Sequence, residues 1–557
     1  MRKLSQVLLI AFLPIFLFAQ NTISGTVTDA STGEALAGAN VVVVGTSMGA
    51  AATADGSYSI SNVPDGSYTL TSSVIGYADG SQSVNVSGDA TVNFSLNVSA
   101  LELSALEVLA SRAGEKTPVA YTNISKAEVE ARLGSQDIPM ILNTTPSVYA
   151  TQQGGGAGDA RINVRGFNQR NVAVMINGVP QNDMENGWVY WSNWDGVGDA
   201  TSSIQMQRGL SAVNLATPSI GGTMNIITDP TAMSRGGKFK QEFGAGGFLK
   251  TTANVNTGII NDKMAFSATI VRKTGDGMID KTWTDAWAYY FGASYAVNDK
   301  NRFELYAIGA PQRHGQNLYK QNAGVYDPDF AKGMEGYDAE GIWNGKNYPD
   351  SKGEFTAPES GFGSSDPRLF NQNWAPVNSS YKGKQYWYMY GARTTDRYDP
   401  NFINERENFF HKPLVNLNHF LTINNKTRLS TIAYWSGGSG GGTGTYGSIV
   451  TRDATGKSDT YGSSAQSGKH KFYYGPSPWT RDWNEQIAIN GSNSTSYWWQ
   501  GSARTKQVGE SIGILRNSIN RQSTIGVISK LNYEVNSNLQ TQFGIDWRTA
   551  GIEHARE

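Results

Sequence analysis

The chain has 557 residues, more than one hydrophobic core ordinarily organises, so several domains are expected. Its formal net charge of -1 offers no basic face for nucleic acid, and the lack of cysteine excludes disulfides, thiolate metal sites and a lipidated N-terminal cysteine. With 63 glycines, 11% aromatic and 17% charged residues, the composition suits β-structure with many turns.

Arg2 and Lys3 precede an apolar run from Val7 to Phe18, interrupted by Pro14 and followed by Ala19. The run is too short to span a membrane and predicts a secretory signal over 1–19. No later run reaches the roughly 18 apolar residues of a spanning helix, so export leaves the periplasm, the exterior or a β-barrel in an outer membrane.

Residues 22–97 alternate with period two between Thr-Gly, Asp-Gly and Pro-Asp-Gly turns, which predicts a small antiparallel β-sandwich with Tyr58, Ile60, Tyr68 and Leu70 in its core. The motifs Gly25-x-Val27-x-Asp29, Thr32-Gly33-Glu34, Asp55-Gly56-x-Tyr58, Val63-Pro64-x-Gly66-x-Tyr68 and Ile75-Gly76-Tyr77 resemble the carboxypeptidase-regulatory-like domain. Of the five histidines, only His554 with Glu557 has metal-ligand spacing, and that pair has no third ligand downstream. The sandwich therefore reads as a non-catalytic accessory module, and neither metal nor cofactor is expected.

Residues 98–117 read either as a plain linker or as a carrier of one short apolar strand, Leu106-Glu107-Val108-Leu109-Ala110. Such an extended segment adds readily to the sheet edge of a partner. From 118 to 230 a compact α+β domain is expected, with a helix start at Ser125–Glu130. Gly154-Gly155-Gly156 reads as a flexible loop, without the lysine and strand-to-helix setting of a phosphate cradle. Short β-runs follow at Ile162–Val164, Val172–Ile176 and Met224–Ile227, closed by glycine-bearing turns.

Four ordered motifs here resemble the plug domain of TonB-dependent outer-membrane receptors of the Bacteroidetes type. They are Val164-Arg165-Gly166, Met175-Ile176-Asn177-Gly178-Val179-Pro180, Ile204-Gln205-Met206-Gln207-Arg208-Gly209 and Gly221-Gly222-Thr223-Met224-Asn225-Ile226. Asn177 stands where that family commonly has aspartate and Gln205 where it usually has glutamate, which puts in doubt a charged plug-to-wall pair at 205. The resemblance implies that Leu106, Glu107, Val108, Leu109 and Ala110 form the TonB box, although their letters depart from the usual pattern. It also implies that the plug apex faces a vestibule, which makes Trp188, Tyr190, Trp191 and Trp194 candidates for ligand contact.

Over 237–557 the alternation lengthens. Trp287, Tyr289, Phe291, Ala293, Tyr295 and Val297 share one face, as do Leu539, Thr541, Phe543, Ile545 and Trp547, with smaller or polar residues opposite. An apolar outer face and a polar inner one fit a transmembrane antiparallel β-barrel, although a soluble sandwich also alternates. About nine strands are expected, with tight polar turns at Asn261–Lys263, Asn298–Asn301, Asn424–Lys426 and Asn536–Asn538. The other connections are long, above all 311–409 and 437–522, and an odd strand count predicts an N-terminal fragment of a normally 22-stranded plugged barrel.

The fold expected is mainly β: sandwich, plug and partial barrel. The resemblance implies energy-coupled uptake of an oligosaccharide, peptide or metal chelate across the outer membrane. It implies TonB, outer-membrane lipid, a small nutrient ligand and a surface lipoprotein as partners, the sandwich in the periplasm, and no enzymatic role. A surface glycan-binding or adhesion β-protein without TonB coupling is the alternative, and an enzyme bearing a regulatory sandwich would need a catalytic constellation that the sequence lacks.

Overall fold

The computed structural model describes residues 21–74, 77–97, 119–153, 159–209, 219–317, 330, 333–335, 369–371, 373–389, 392–424, 426–453, 458–462, 479–499, 502–536 and 539–557. They fall into two compact units, residues 1–110 with two short wall segments and the remainder of the chain.

The first unit contains the sandwich. Its strands are β1 (Asn21–Asp29), β2 (Asn40–Val43), β3 (Gly49–Ala51), β4 (Ser57–Val63), β5 (Gly66–Ser73), β6 (Gly80–Val86), β7 (Ala90–Thr91) and β8 (Phe94–Leu96). One sheet joins β1 to β4, β7 and β8, and the other runs β3-β2-β5-β6. Alternation turns Ile23, Val27, Tyr58, Ile60, Leu70 and Phe94 into a shared core, with Tyr68 packed partly buried against it. The Tyr58 hydroxyl donates to the Val92 carbonyl at 2.6 Å, so the ring is buried without an unpaired polar end. Asp29 accepts from the Ser31 hydroxyl, from the Ser31 and Thr32 N–H groups and from the Tyr77 hydroxyl, and these bonds hold its carboxyl well below the usual range.

In the second unit the plug begins with β9 (Ala120–Ser125) and the helix Lys126–Arg132. The Ser125 side chain accepts the Glu128 N–H while Glu128 accepts the Ser125 N–H, a capping box that sets the helix start. A 3-10 helix, Ile138–Thr144, leads to the sheet β10 (Val148–Thr151), β11 (Arg161–Val164) and β12 (Phe167–Asn168). The central mixed sheet holds β13 (Val172–Ile176), β14 (Val179–Pro180), β15 (Ser203–Arg208) and β16 (Gly222–Ile227) in the order β14-β13-β16-β15-β9. Only β13 and β16 run parallel in this sheet, and every residue of both is buried, which is why β13 reads as an unbroken apolar run, while β16 carries Thr223 and Asn225 as buried polar residues.

The wall follows as β17 (Gly236–Phe243), β18 (Leu249–Ile260), β19 (Met264–Asp276), β20 (Trp283–Asn298), β21 (Asn301–Gly309) and β22 (Gln312–Gly315). On the loop side lie β23 (Trp374–Pro376), β24 (Gln385–Met389), β25 (Ala392–Thr395) and β26 (Phe402–Asn404). They precede β27 (Glu407–His411), β28 (Leu414–Asn424) and β29 (Thr427–Asp453). Then come β30 (Ser458–Gly462), β31 (Trp479–Arg481), β32 (Ser496–Trp499), β33 (Ser502–Thr505), β34 (Gly513–Asn536) and β35 (Leu539–Arg556).

The wall is one antiparallel sheet in which β22 continues the line of β21, and β27 that of β28. Both lines break at a proline, Pro311 and Pro413, where the ladder loses an N–H donor. Trp287, Tyr289, Phe291, Tyr295 and Val297 point outward and stay exposed, as the alternation predicts, while Ala288, Tyr290, Ser294 and Ala296 face inward and are buried. Between β18 and β19, Asn261 and Asp262 have φ of 50° and 51°, the paired left-handed conformation of a tight hairpin. Among the described residues no helix is long and apolar enough to cross a membrane, which says nothing of strands.

Two strands differ from the sequence reading. The stretch 437–522, expected as loop, opens and closes as strand: β29 runs on to Asp453, and Thr427–Gly447 pair in unbroken register with Gly513–Tyr533. In its glycine run a Cβ at Gly440 would lie 2.2 Å from the Phe409 carbonyl oxygen and one at Gly441 2.4 Å from that of Ser518. Close approach of neighbouring backbone on both sides, rather than chain freedom, selects glycine there. Beyond this ribbon, the Arg481 guanidinium meets Glu405 at 2.8 and 3.1 Å with both side chains fully buried, tying two loop segments together. Burial pushes the Glu405 carboxyl up, but Arg481 and Arg406 outweigh it and hold it below its ordinary value.

Candidate functional site: the plug and its junction with the wall

The plug core merges with the lumen side of the wall. Val174, Ile176, Trp191, Trp194, Met206 and Ile226 share one apolar cluster with Tyr290, Tyr306, Leu414, Tyr434 and Ile528 of the wall strands. Tyr290 also donates its hydroxyl to the Thr228 carbonyl at 2.5 Å, where the plug hands over to β17.

The motif residues organise the turns. Arg165 and Gly166, with φ of 54° and 82°, make the two-residue turn from β11 to β12, and Asn177 and Gly178, at 49° and 82°, make the one from β13 to β14. Asn177 does more than a turn requires: its amide donates to the Thr228 hydroxyl at 2.7 Å and accepts the Thr228 N–H at 2.9 Å. Arg208 donates to the carbonyls of Pro146 and Tyr121, and Arg165 lies over Gly209, where a Cβ would come 2.4 Å from its Nη1. Gly221 and Gly222 sit where a Cβ would strike Phe167 and the Gln207 carbonyl, and Asn225 is fully buried on β16. Gln205 replaces the family's carboxylate with an amide ladder inside the plug. It donates to Asn123 at 2.8 Å and accepts from Gln207 at 3.0 Å.

Charged contact with the wall comes from other residues. Lys250 on β18 and Lys273 on β19 are cross-strand partners facing the lumen, an arrangement that is repulsive alone. The plug answers with two carboxylates at the ends of one tight turn: Asp195 lies 3.0 Å from the Lys273 amine and Asp199 2.9 Å from that of Lys250. Glu242, opposite Lys250 on β17, adds a third at 3.6 Å. Gly196, between the carboxylates, has φ of 82°, and a Cβ there would lie 2.3 Å from the Ala288 side chain, so the turn reaches the wall only as glycine. Asp137 is buried beside this group. Burial pushes its carboxyl up to about 6, with Lys273 pulling it back and Asp195 and Asp159 adding to the rise. Burial likewise raises Asp199, against the pull of Lys250.

A second junction lies at the loop end, where Asp159 of the plug faces His314 on β22. Nε2 of His314 is 3.4 Å from the Asp159 carboxylate, Nδ1 is 2.6 Å from the Gln312 amide oxygen, and Gln316 donates to the same carboxylate. Burial raises Asp159, but the bond and charge of His314, with Arg161, leave it below its ordinary value. Neither junction was read from the sequence. The available signal was a lysine in the inward parity of strands otherwise lined by Thr252, Ser267 and Thr269.

The aromatic candidates divide. Tyr190 is exposed and Trp188 half-buried, whereas Trp191 and Trp194 are each only 2% exposed and belong to the core. This corrects their reading as ligand contacts: the 3-10 turn Trp191–Trp194 rotates both indoles inward, with Trp191 Nε1 3.4 Å from Gln169 Oε1. In the loops, Trp374 and Trp483 are likewise taken up by packing, Trp483 donating to the Ile403 carbonyl at 2.9 Å. Leu106, Glu107, Val108, Leu109 and Ala110 lie outside the described residues.

A strand wall whose lumen is filled by a mixed-sheet domain defines the class: a plugged β-barrel architecture. Residues 113–223 match the TonB-dependent Receptor Plug Domain, and residues 23–109 match the CarboxypepD_reg-like domain. The chain accordingly carries a TonB-dependent receptor plug domain preceded by a CarboxypepD_reg-like domain. It is 26% identical over 186 residues to the vitamin B12 transporter BtuB of Vibrio vulnificus (strain CMCP6), covering 33% of this chain and 29% of that protein. It is 28% identical over 148 residues to TonB-dependent receptor P3 of Formosa agariphila, covering 26% and 14%. Among solved structures it resembles the ferric-catecholate import receptor Fiu of E. coli K12 in its open form, at 14% identity and a TM-score of 0.44, over 78% of this chain and 50% of that one. The unliganded ferric citrate transporter FecA compares at 14% and 0.40, over 80% and 53%. The matches thus span less than a third of the curated relatives and about half of these two structures.

Proposed function

We propose that the protein mediates energy-coupled uptake of a nutrient, an oligosaccharide, peptide or metal chelate, across the outer membrane. Ligand meets the plug on its loop side, at Trp188 and Tyr190, and TonB engages the segment Leu106–Ala110 on the other side. The observation that carries this reading is a plug joined to the wall by a shared apolar core and by a small set of ion pairs. Such a contact closes the lumen yet leaves discrete bonds that a pull can break. The sandwich lies in the periplasm, and a surface lipoprotein delivers ligand from outside. Removal of residues 105–112 from the full chain is expected to abolish binding of the periplasmic part of TonB, measured by calorimetric titration of the detergent-solubilised protein. Undiminished TonB binding by the deletion variant refutes the coupling role of that segment.

A further inference from the structure

The loop-side surface of the plug holds two guanidinium groups on one indole. The Arg161 carbon Cζ lies 4.8 Å from the centre of the Trp188 ring and that of Arg170 lies 4.6 Å from it. Three elements converge to make this arrangement: β11 supplies Arg161, the 3-10 turn Gln169–Asn171 supplies Arg170, and the segment 183–188 supplies the tryptophan. That segment is fixed by its own bonds. Asp183 accepts the N–H groups of Glu185 and Asn186, Asn186 accepts that of Trp188, and the Asp183 N–H closes on the Trp188 carbonyl.

The nearby carboxylates are already engaged. Asp159 is held by His314 and Gln316, Asp183 by the backbone of its own turn, and Glu185 by His554 at 2.9 Å. Among the described residues neither Arg161 nor Arg170 has a side-chain hydrogen bond or ion pair, and Nη1 of Arg161 is buried without an acceptor. A buried guanidinium donor left unmade is costly, and the planar fork of arginine matches an oxyanion in two parallel bonds. Tyr190, exposed alongside with its hydroxyl 3.4 Å from the Asn186 amide, offers a ring face to whatever carries that anion.

We propose that Arg161 and Arg170, presented on Trp188, form an oxyanion site that binds a carboxylate, sulfate or phosphate group of the ligand. The proposal rests on the ligand-contact reading of the plug surface, and it specifies the chemical class of that ligand as anionic.

The test is calorimetric titration of the detergent-solubilised full chain with inorganic pyrophosphate and, separately, with malonate, at low ionic strength. Arg161→Gln and Arg170→Gln are each expected to weaken binding at least tenfold, Arg170→Lys to weaken it less than Arg170→Gln, and Arg235→Gln, a distant arginine, to leave it unchanged. Resistance of each variant to unfolding by heat in detergent keeps a folding defect separate from a binding one. The tighter of the two probes tells whether the site favours a carboxylate or a tetrahedral oxyanion such as phosphate. No binding of either probe to the native chain, or equal binding by native chain and Gln variants, overturns the site. Because the titration needs no TonB, it reports on the anion site independently of coupling, so its failure is distinct from failure of the uptake reading.

Discussion

At the scale of single residues, the buried carboxyl of Asp137 gives the plug a pH dependence of definite sign. Its folded value of about 6 lies above the ordinary 3.8, with Lys273, Asp195 and Asp159 as the charged groups facing it. Below about pH 3.8 the group is protonated in both folded and unfolded chains. Between there and about pH 6 the unfolded chain ionises while the folded plug keeps its proton, so stability falls as pH rises through that window, by on the order of 3 kcal/mol. Asp137→Asn keeps an acceptor for the Ala160 N–H and removes the titration. The denaturation midpoint of the native chain should drop relative to that of the variant between pH 4 and pH 7, and parallel pH profiles would count against the assignment. Residues of this kind were not legible in the sequence, because nothing local distinguishes Asp137 from an exposed helix cap. Asn177-Gly178 was legible, since its turn is written in two adjacent letters. The tryptophan run fell between the two cases: the sequence showed aromatic density, but a 3-10 turn decided which rings face in.

At the scale of elements, the turn Asp195–Asp199 and the strand pair β18–β19 act as one latch. Asp195→Asn strips the countercharge from a lysine only 3% exposed, at an expected cost of about 3–5 kcal/mol. Lys273→Met in the same chain is expected to restore most of that loss, because it removes the stranded charge along with its partner. Denaturant unfolding of the two single variants and the double variant measures this coupling, and additive effects would show that the pair is not a unit. Strand existence here was legible from alternation and from the polar turns, since the outward faces of β20 and β35 follow period two. Strand length was not. The upper halves of β29 and β34 carry glycine and polar residues that look like loop, and only long-range pairing between them makes strand.

At the scale of the whole molecule, the sandwich has a core of its own, and the plug shares its core with the wall. Calorimetry of the full chain should therefore resolve two transitions. Trp191→Ala, which empties a buried indole site at a typical cost of about 3–5 kcal/mol, should lower one and leave the other in place. A single transition, or a shift of both, would show one cooperative body instead. The order of modules was legible because the sandwich, plug motifs and alternating wall each carry a different periodicity, whereas the joints were not, since they depend on side chains far apart in sequence. One of those joints has a consequence for biogenesis. Lys250 and Lys273 stand opposite each other across a ladder, and until the plug turn arrives Glu242 of β17, 3.6 Å from Lys250, is the wall carboxylate that offsets the two ammonium groups. Zipping of β18 to β19 is thus favoured after the plug has folded and come to rest against them.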